Sequence, residues 1–343
     1  MKNSQVAASI VVPTFNRSDA LLETLHALAR MDYPADRWEA IVVDDGSTDG
    51  TAERLHHWIK ERGAPVRCIE QKNSGPAAAR NRGAAEARGE TLIFIDNDIG
   101  VQPDFVRAHL QTLSENSGCW VIGRIVHPPQ ISNTPFGCYR NAVWESFHEL
   151  HAREGVTETA GMSAANVSMP ASDFKQLGGF DEDFTIASSE DWDLGMRARQ
   201  RGIRVVYNPQ IVVVHNDWAV SLERFCERQR LYSVSDVLLW RKYGESSPRA
   251  RLVHENTPVR WSVDPPGLIA KKILKTALSL QISSLMVRTA CKVSERFVPG
   301  GKLNRRAYNL AVGQAIFSGV REGLKRYDDS FALTGGRIQL EKG

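Results

Sequence analysis

Two carboxylates lie one residue apart immediately after an apolar segment of the chain. Asp96 and Asp98 flank Asn97 and follow residues 92–95, which read Leu-Ile-Phe-Ile. A hard cation such as Mg²⁺ binds one or two carboxylates and completes its coordination with water and substrate phosphates, and Mn²⁺ accepts the same oxygen ligands. Asp and Asn are also common in solvated turns. These residues alone therefore leave a divalent metal site and an ordinary turn both open.

A second acidic pair, Asp44 and Asp45, follows another apolar segment. An acidic side chain at a strand end can accept hydrogen bonds from a ribose hydroxyl, as in dinucleotide sites, or from a base N–H. The alternative is a well-formed turn into a helix that Ser47, Thr48 or Asp49 would cap. Two carboxylates are more than capping requires, which favours Asp45 as a ligand-binding residue.

A Gly- and Ser-containing loop, residues 72–76, opens an Ala-rich helix. Its free backbone N–H groups can meet an anion. Arg80 and Arg82 lie about one turn into this helix, where their guanidinium groups can approach phosphate oxygens. Residues 77–79 are all alanine, so close packing against a sheet is an equally good explanation for that part of the segment.

The segments that would position these residues alternate between strand and helix. Strands are predicted at residues 9–12, 40–43, 66–69 and 91–95, with helices near residues 21–28, 55–59 and 76–87. This alternation predicts βαβ units and a mainly parallel sheet flanked by helices. Ligands of such sheets bind beyond the carboxyl ends of the strands, and that is where the polar segments lie.

The rest of the chain is less regular. Helices are predicted at residues 136–150, 190–201 and 222–240, and short strands at residues 205–207 and 211–214. A Pro-rich polar linker, residues 246–266, then leads to two amphipathic helices, residues 268–287 and 303–327. We therefore expect a catalytic domain in residues 1–242 and a linker with a basic amphipathic helical region in residues 243–343.

Composition narrows the class of protein. Of 343 residues, 42% are apolar and 24% charged, which is ordinary for a globular protein. Five cysteines without a C-x-x-C pair indicate neither a disulfide framework nor a zinc site. There is no apolar run of signal-peptide or membrane-spanning length. We therefore expect a cytoplasmic protein in a reducing compartment.

Charge is divided unevenly along the chain. Residues 241–343 contain 19 Lys/Arg and 8 Asp/Glu, a net charge of +11, which leaves 24 and 32 in residues 1–240, a net charge of −8. Such a basic region predicts contact with an anionic partner. Since the region has no nucleic-acid-binding motif, we expect no nucleic acid and favour an anionic membrane surface on the inner face of the membrane.

Residues 268–278 show the pattern that supports this expectation. A basic amphipathic helix of this kind can lie on a membrane surface, or it can pack its apolar side on the catalytic domain. The apolar side would contain Leu268, Ile269, Ile273, Leu274 and Leu278, and the basic side Lys271, Lys272 and Lys275.

Six ordered motifs together resemble the family-2 inverting glycosyltransferases of GT-A fold. Four ordered motifs at this spacing are already far more specific than any one of them, and the resemblance covers residues 9 to about 218. The motifs are Ile-Val-Val-Pro-Thr-Phe-Asn-Arg at 10–17, Val-Val-Asp-Asp-Gly-Ser-Thr-Asp at 42–49, the segment 73–83, Phe-Ile-Asp-Asn-Asp at 94–98, Gly-Gly-Phe-Asp-Glu at 178–182 and Ser-Glu-Asp-Trp-Asp-Leu at 189–194.

The resemblance implies a role for each matching residue. Asp191 would be the general base, and Glu190 would help to place the acceptor. Asp98 would bind a Mn²⁺ or Mg²⁺ ion directly, and Asp96 would face the ribose or a metal-bound water. His215 is either a further metal ligand or a packed histidine. The donor-binding residues would be Pro13, Thr14, Asn16, Arg17, Asp45, Arg80, Asp96 and Asn97.

The expected activity follows from these roles. An inverting enzyme would move a sugar from a nucleoside-diphosphate sugar, expected to be UDP-linked, to a saccharide or lipid-linked acceptor hydroxyl in cell-surface polysaccharide or glycolipid assembly. A non-catalytic nucleotide-sugar-binding protein and a sugar nucleotidyltransferase are the alternatives. A dehydrogenase is disfavoured, because no G-x-G-x-x-G follows the first strand. The sequence leaves the oligomeric state open.

Overall fold

A computed structural model describes residues 6–152, 155–186, 188–278 and 281–327. The chain divides into two compact units. The first consists of residues 1–132 and 140–219, and the second of residues 133–139 and 220–343.

The first unit is built on a single sheet. Its strand order is β3-β2-β1-β4-β8-β6-β9-β5, and β7 pairs with β9 at the side of this path. The described strands are β1 (Ala8–Thr14), β2 (Trp38–Asp44), β3 (Val66–Glu70), β4 (Thr91–Ile95), β5 (Ile99–Val101), β6 (Cys119–Val126), β7 (Thr157–Glu158), β8 (Asn166–Pro170) and β9 (Arg204–His215).

The sheet is parallel where the sequence pattern is clearest. Strands β3, β2, β1 and β4 are all parallel, as the alternation of strands and helices predicts. Strand β8 is antiparallel to both β4 and β6, whereas β6 and β9 are parallel. Strands β5 and β7 are antiparallel to β9. The α/β fold class is confirmed, with antiparallel pairs added by the strands after residue 95.

Helices of the first unit pack buried side chains against this sheet, as α1 shows. Leu21, Leu25 and Leu28 recur at helical spacing and are buried, so α1 packs them into the core. The described helices of the first 200 residues are α1 (Ser18–Leu28), α2 (Thr51–Arg62), α3 (Pro76–Ala85), α4 (Phe105–Glu115), α5 (Pro135–Ala152), α6 (Ala171–Leu177) and α7 (Glu190–Gln200).

Helix α3 lies unusually close to the sheet. A Cβ atom at Gly83 would be 2.5 Å from Cγ1 of Val11 and 3.2 Å from Cγ2 of Val43. Real Cβ atoms do not approach other atoms so closely, because protein interiors are already densely packed. The absence of a side chain at Gly83 therefore sets the distance between α3 and strands β1 and β2.

One long strand replaces two predicted short ones. Residues 204–215 form β9 without a break, but its register against β6 shifts between Gly123 and Arg124, which pair with Asn208 and Val212. The amide of Asn166 donates to the carbonyl of Ile211 at 3.2 Å within this irregular stretch. The Asn-Pro sequence at 208–209 resembles a strand end, but here it marks a bulge inside a strand.

The second unit is helical. Its described helices are α8 (Leu222–Tyr243), α9 (Ala250–Asn256), α10 (Pro266–Leu278), α11 (Gln281–Phe297) and α12 (Lys302–Tyr327). One apolar cluster contains Val237, Trp240, Val253 and Val320, which are all buried. Within the described residues, every helix is too short or too polar to span a lipid bilayer. The predicted linker at 246–266 is wrong in part, because it contains α9.

The lysines of α10 correct the expected membrane face. Lys272 is fully buried and donates to Asp264 Oδ2 at 2.7 Å and to Thr257 Oγ1 at 2.9 Å. Lys271 and Lys275 donate to acceptors at positions 255 and 256. A buried ammonium needs a charged partner, and Asp264 provides it here. The sequence pattern of α10 alone therefore does not show which side of the helix faces solvent. The expectation that Lys272 faces an anionic membrane is wrong.

Candidate active site

The loops after β1 and β2 are fastened to each other. The backbone N–H of Asn16 donates to Ser47 Oγ at 2.8 Å, and Asn16 Oδ1 accepts from the Thr48 N–H at 2.7 Å. Asn16 adopts a left-handed conformation with φ 51°, which Asn tolerates better than most residues. The following Arg17 is thereby placed at the mouth of the site.

Two of the predicted donor-binding residues are buried and paired. Asn97 Nδ2 donates to Thr14 Oγ1 at 2.8 Å, and Thr24 Oγ1 donates to the Asn97 carbonyl at 2.9 Å. Pro13 lies in β1, where it pairs with Val43. These contacts join the ends of β1 and β4 and hold the neighbouring Asp96 and Asp98 in place. A direct role of Pro13, Thr14 or Asn97 in donor binding stays a prediction.

The carboxylate of Asp45 organises the loop before α3. Its Oδ1 accepts from Gln71 Nε2 and from the Ser74 N–H, and its Oδ2 accepts from the Gly75 N–H, all at 2.8 Å. Gly75 has φ 90°, a conformation that favours glycine. The structure therefore gives Asp45 a loop-holding role, and the predicted contact with a base stays a prediction.

Asp98, Arg17 and His215 meet at one point. Arg17 donates to Asp98 Oδ2 at 2.5 Å, and His215 Nε2 lies 3.1 Å from Asp98 Oδ1. Asp98 is 4% exposed, and its buried Oδ1 has the His215 ring nitrogen as its near polar neighbour. Buried carboxylate oxygens are normally hydrogen-bonded or bound to a metal. A buried carboxylate oxygen facing an imidazole nitrogen at this distance fits a pair of ligands to one metal ion.

The neighbouring groups complete a set of metal-ligand type. One oxygen each of Asp96 and Asp98 and one ring nitrogen of His215 lie within 4.8 Å of one another. Adjacent ligands around an octahedral ion are about 3 Å apart when each bond is about 2.1 Å, close to the 3.1 Å between Asp98 and His215. The three residues fit a Mn²⁺ or Mg²⁺ ion, with Asp98 and His215 already spaced as neighbouring ligands.

Electrostatics prepare Asp98 to stay ionised. Burial raises the pKa of Asp98, but the neighbouring His215 and Arg17 more than compensate and hold it below its usual value. Burial lowers the pKa of His215, yet the carboxylates of Asp98, Asp217 and Asp96 raise it overall. A bound divalent cation would take the place of the imidazole proton in balancing the charge of these carboxylates, because a ligating imidazole must be neutral.

Three residues outside the predicted site, Asp217, His127 and Arg140, surround His215 and its neighbours. Asp217 Oδ1 lies 3.8 Å from His215 Nδ1 and 3.4 Å from His127 Nε2, and both Asp217 oxygens accept from Arg140 Nη2 at 3.1 Å. The rings of His127 and His215 stack with centroids 6.0 Å apart. At 3.8 Å the Asp217 carboxylate acts on the His215 ring through its charge rather than through a hydrogen bond. His127 directly follows β6. A histidine at the end of a strand is the sequence feature that could have identified this residue.

An open cavity of about 310 Å³ gives access to this cluster. Its lining includes Asn16, Arg17, Asp98 and Asn216. A ligand entering the cavity would meet the guanidinium of Arg17 and the carboxylate of Asp98 together. The predicted residues Asn16, Arg17 and Asp98 therefore share one cavity wall.

A buried arginine links the acidic cluster to a second carboxylate pair. Arg80 Nη2 donates to Asp96 Oδ1 at 2.6 Å, and Arg80 Nη1 donates to Glu190 Oε1 at 2.7 Å. Arg80 and Glu190 are each 2% exposed. The guanidinium also lies 5.6 Å from the ring centroid of Phe180. Its charge is thus shared between two carboxylates, and a contact of Arg80 with the donor stays a prediction.

We expect Arg80→Ala to lower the free energy of unfolding by about 3 kcal/mol, because removing one partner of a buried ion pair leaves an uncompensated charge. Urea denaturation monitored by tryptophan fluorescence measures this loss. Arg82→Ala is the matched control: Arg82 is 54% exposed and pairs with Glu86, so the expected loss is below about 1 kcal/mol. Equal losses in both variants would contradict a special role for the buried pair.

The carboxylate pair at the start of α7 combines a buried and an accessible group. Burial and the charge of Asp191 together outweigh the attraction of Arg80 and raise the pKa of Glu190 to about 7. Asp191 is half-buried; its Oδ1 accepts from the Trp192 N–H at 2.8 Å, and its Oδ2 lies 3.4 Å from the Ala164 N–H. Both carboxylates lie in the first turn of a helix, where the dipole favours negative charge.

Glu190 should make the stability of the protein depend on pH. Burial raises the pKa of Glu190 from its usual value of 4.5 to about 7, so the native state keeps a proton that the unfolded chain releases. Stability should therefore fall as pH rises between these values. Glu190→Gln should flatten this decline when denaturation is measured at about pH 5 and about pH 8. An unchanged slope would show that other groups cause it.

Comparison with known proteins gives one family. Residues 9–178 match the family model described as glycosyl transferase family 2. The chain is 30% identical over 258 residues to validoxylamine A glucosyltransferase of Streptomyces hygroscopicus subsp. jinggangensis, which covers 67% of this chain and 58% of that protein. It is 23% identical over 291 residues to glycosyltransferase AglE of Haloferax volcanii, covering 84% and 93%. The chain thus spans little more than half of the first relative.

A solved structure shows the same fold. The mannosyltransferase PcManGT from Pyrobaculum calidifontis, solved in complex with GDP-Man and Mn²⁺, superposes with a TM-score of 0.63 at 18% sequence identity. The match covers 94% of this chain and 87% of that protein. At this identity the likeness establishes the GT-A fold alone, which agrees with the strand order described above.

Proposed function

This chain belongs to glycosyl transferase family 2 through residues 9–178, and we propose that it transfers a sugar from a nucleoside-diphosphate sugar to an acceptor hydroxyl with inversion at the anomeric carbon. One observation carries the proposal. Arg80 bridges Asp96 and Glu190 at 2.6 and 2.7 Å. The metal-type cluster and the carboxylate pair are therefore two ends of one site, as an in-line displacement at one carbon requires.

Asp191 is the proposed general base. Its carboxylate accepts the acceptor hydroxyl proton as the oxygen bonds to the anomeric carbon and the bond to the diphosphate oxygen breaks. Glu190 cannot take this role as readily, because it is buried and already paired with Arg80. Its proposed part is to hold Arg80 and, through the start of α7, to position Asp191. A positioned base contributes about 10²–10⁴-fold to such a reaction.

Asp98, Asp96 and His215 are the proposed ligands of a Mn²⁺ or Mg²⁺ ion. When bound, the ion would neutralise negative charge on the departing nucleoside diphosphate. Arg17 contributes a fixed positive charge from the chain itself, at the mouth of the same cavity. Asp217 lies 3.8 Å from His215 Nδ1, and His215 Nε2 lies 3.1 Å from Asp98.

The donor and acceptor are proposed at the level of class. We propose a hexose linked to UDP, and a saccharide or lipid-linked acceptor in polysaccharide or glycolipid assembly. The relative from Streptomyces is a glucosyltransferase, whereas PcManGT was solved with GDP-Man. A donor screen must therefore include both nucleotides. We further propose residues 1–242 as the catalytic domain and residues 243–343 as a separate region, in a protein resting on the cytoplasmic face of a membrane.

Nucleotide release is the direct test. The full chain is incubated with Mn²⁺ and UDP- or GDP-hexoses, with and without candidate saccharide acceptors, and free nucleoside diphosphate is measured. Release that rises with acceptor supports glycosyl transfer. Binding without release by any donor would favour the non-catalytic alternative. Release of pyrophosphate from a nucleoside triphosphate and a sugar phosphate would instead indicate a nucleotidyltransferase.

A further inference from the structure

Helices α11 and α12 expose large apolar side chains to solvent. Phe297 and Leu285 are 73% and 68% exposed, and the connecting loop adds Val298. We call the following set the apolar face of the α11–α12 hairpin: Leu285, Met286, Val293, Phe297, Val298, Leu303 and Leu310. Single exposed apolar residues are normal, but a contiguous group marks an interaction site.

The α11 members of this set share one side of that helix. Leu285, Val293 and Phe297 are spaced by multiples of four residues, so they lie on the same side of the helix. The opposite side is already used, because Val287 and Cys291 are buried in a cluster with Tyr308. The exposed side chains are therefore not the core contact of this helix. They form a second apolar surface that nothing in the described chain covers.

The hairpin itself is firmly held. Tyr308 on α12 donates to Glu295 Oε1 on α11 at 2.6 Å, and Asn304 Nδ2 donates to Ser294 Oγ at 3.0 Å. The two helices are joined by only four residues, 298–301. A rigid support keeps the apolar face presented as one surface, which lowers the entropic cost of docking.

Positive charge surrounds this face. Residues 281–310 contain six Lys/Arg and a single acidic residue, Glu295, whose carboxylate accepts from Tyr308. Long basic side chains can extend their charged ends to lipid headgroups while their stems cover apolar surface. The six, all exposed, are Arg288, Lys292, Arg296, Lys302, Arg305 and Arg306.

We propose that the apolar face of the α11–α12 hairpin inserts shallowly into an anionic lipid surface. Apolar side chains would enter the boundary between headgroups and acyl chains, and the surrounding cations would meet lipid phosphates. This surface is distinct from the predicted lysine face of α10, whose Lys272 is buried. The proposal does not depend on the proposed glycosyl transfer.

Charge favours a lipid surface over a second copy of the chain. A two-fold symmetric dimer would place the same patch on both sides of the interface. Here that arrangement would bring two sets of six cations together, each with one paired acid. Like charges opposed in this way are unfavourable, whereas anionic headgroups complement them.

Vesicle flotation of the full chain tests the proposal. At low salt, wild type should float with vesicles of phosphatidylcholine and phosphatidylglycerol and not with phosphatidylcholine alone. Leu285→Asp and Phe297→Asp should each reduce flotation on the order of tenfold, because a charge replaces an inserted apolar group. Val156→Asp, at another exposed apolar position, should float as wild type does.

Charge reversal supplies a second, independent measurement. Lys292→Glu with Arg296→Glu should also weaken flotation on the order of tenfold, and Lys60→Glu with Arg62→Glu on α2 should have a clearly smaller effect. This pair keeps the test decisive if an aspartate variant does not fold. Nucleoside diphosphate release to a soluble acceptor should be unchanged in Phe297→Asp, which separates this proposal from the proposed function.

Two results would overturn the proposal. Wild type that stays unbound to anionic vesicles at low salt would exclude a lipid surface as the occupant. A dimer seen by analytical ultracentrifugation without vesicles, and dissociated by Phe297→Asp, would assign the apolar face to self-association instead.

Discussion

Asp98→Ala is expected to lower kcat/KM for sugar transfer on the order of 10³-fold, because the proposed metal contributes several kcal/mol to charge stabilisation and each 1.36 kcal/mol is about tenfold in rate. Asp98 is the most constrained member of the cluster, with one oxygen bonded to Arg17 and the other facing His215. Excess EDTA should remove the activity of the wild type, and added Mn²⁺ or Mg²⁺ should restore it. Acceptor-dependent nucleotide release measures both effects.

The control for this change is an aspartate outside the cluster, at the start of α4. Asp104→Ala removes an exposed carboxylate before α4 that makes no side-chain capping hydrogen bond, so its activity should stay near that of the wild type. Thermal unfolding of Asp98→Ala shows whether loss of activity merely reflects loss of fold. Full activity of the wild type in EDTA would eliminate the metal assignment, whatever the variant does.

Asp191→Asn is expected to reduce kcat by about 10²–10⁴-fold, the contribution of a general base. The amide has the same shape but cannot take up a proton. Nucleoside diphosphate affinity should be almost unchanged, since the proposed contacts of the diphosphate are with Arg17 and the metal ligands rather than with Asp191. Single-turnover kinetics and calorimetric titration with the nucleotide separate these two effects.

An aspartate outside the site is the matched control. Asp183→Asn changes an exposed carboxylate in the loop before α7 and should leave kcat unaffected. Turnover at the wild-type rate in Asp191→Asn would mean that another group accepts the proton. Glu190 would then be the next candidate, although its pairing with Arg80 argues against it.

Much of the first unit could be predicted from local patterns. Strand β4 has the predicted bounds, and β1, β2 and β3 extend the predicted segments by one or two residues at some ends. The spacing of apolar residues predicts buried strands and amphipathic helices. The topology of a parallel sheet then brings the strand ends together, which is why Asp98 after β4 meets Arg17 after β1.

The missing parts depend on long-range partners. The role of Asp217 becomes visible only when His127 and Arg140 are beside it, 90 and 77 residues away in sequence. Likewise, Lys272 resembles a solvent-facing lysine until Asp264 and Thr257 surround its ammonium group. A pattern read along one helix gives the side on which residues lie, but not which side another element will cover.

Asp45 has contacts in the structure that its predicted ligand-binding role did not include. The sequence predicted a ligand-binding carboxylate, and the structure shows three backbone or amide donors already directed at it. A carboxylate offers about four acceptor sites, so loop-holding and ligand binding are compatible at this residue. Which donors reach it cannot be inferred from an Asp-Asp-Gly sequence, because Gln71 and Ser74 belong to another loop.

The missing side chain at Gly83 has a consequence for how this sequence can drift over time. Arg80 lies one turn before Gly83 on α3, so a methyl group there would push the helix off the sheet and withdraw the guanidinium from both carboxylates. Alanine at position 83 would fit only if smaller residues first replaced Val11 and Val43, which lie beneath it. Among related sequences, a larger residue at position 83 should therefore occur together with smaller residues at positions 11 and 43. The smaller residues should have arisen first.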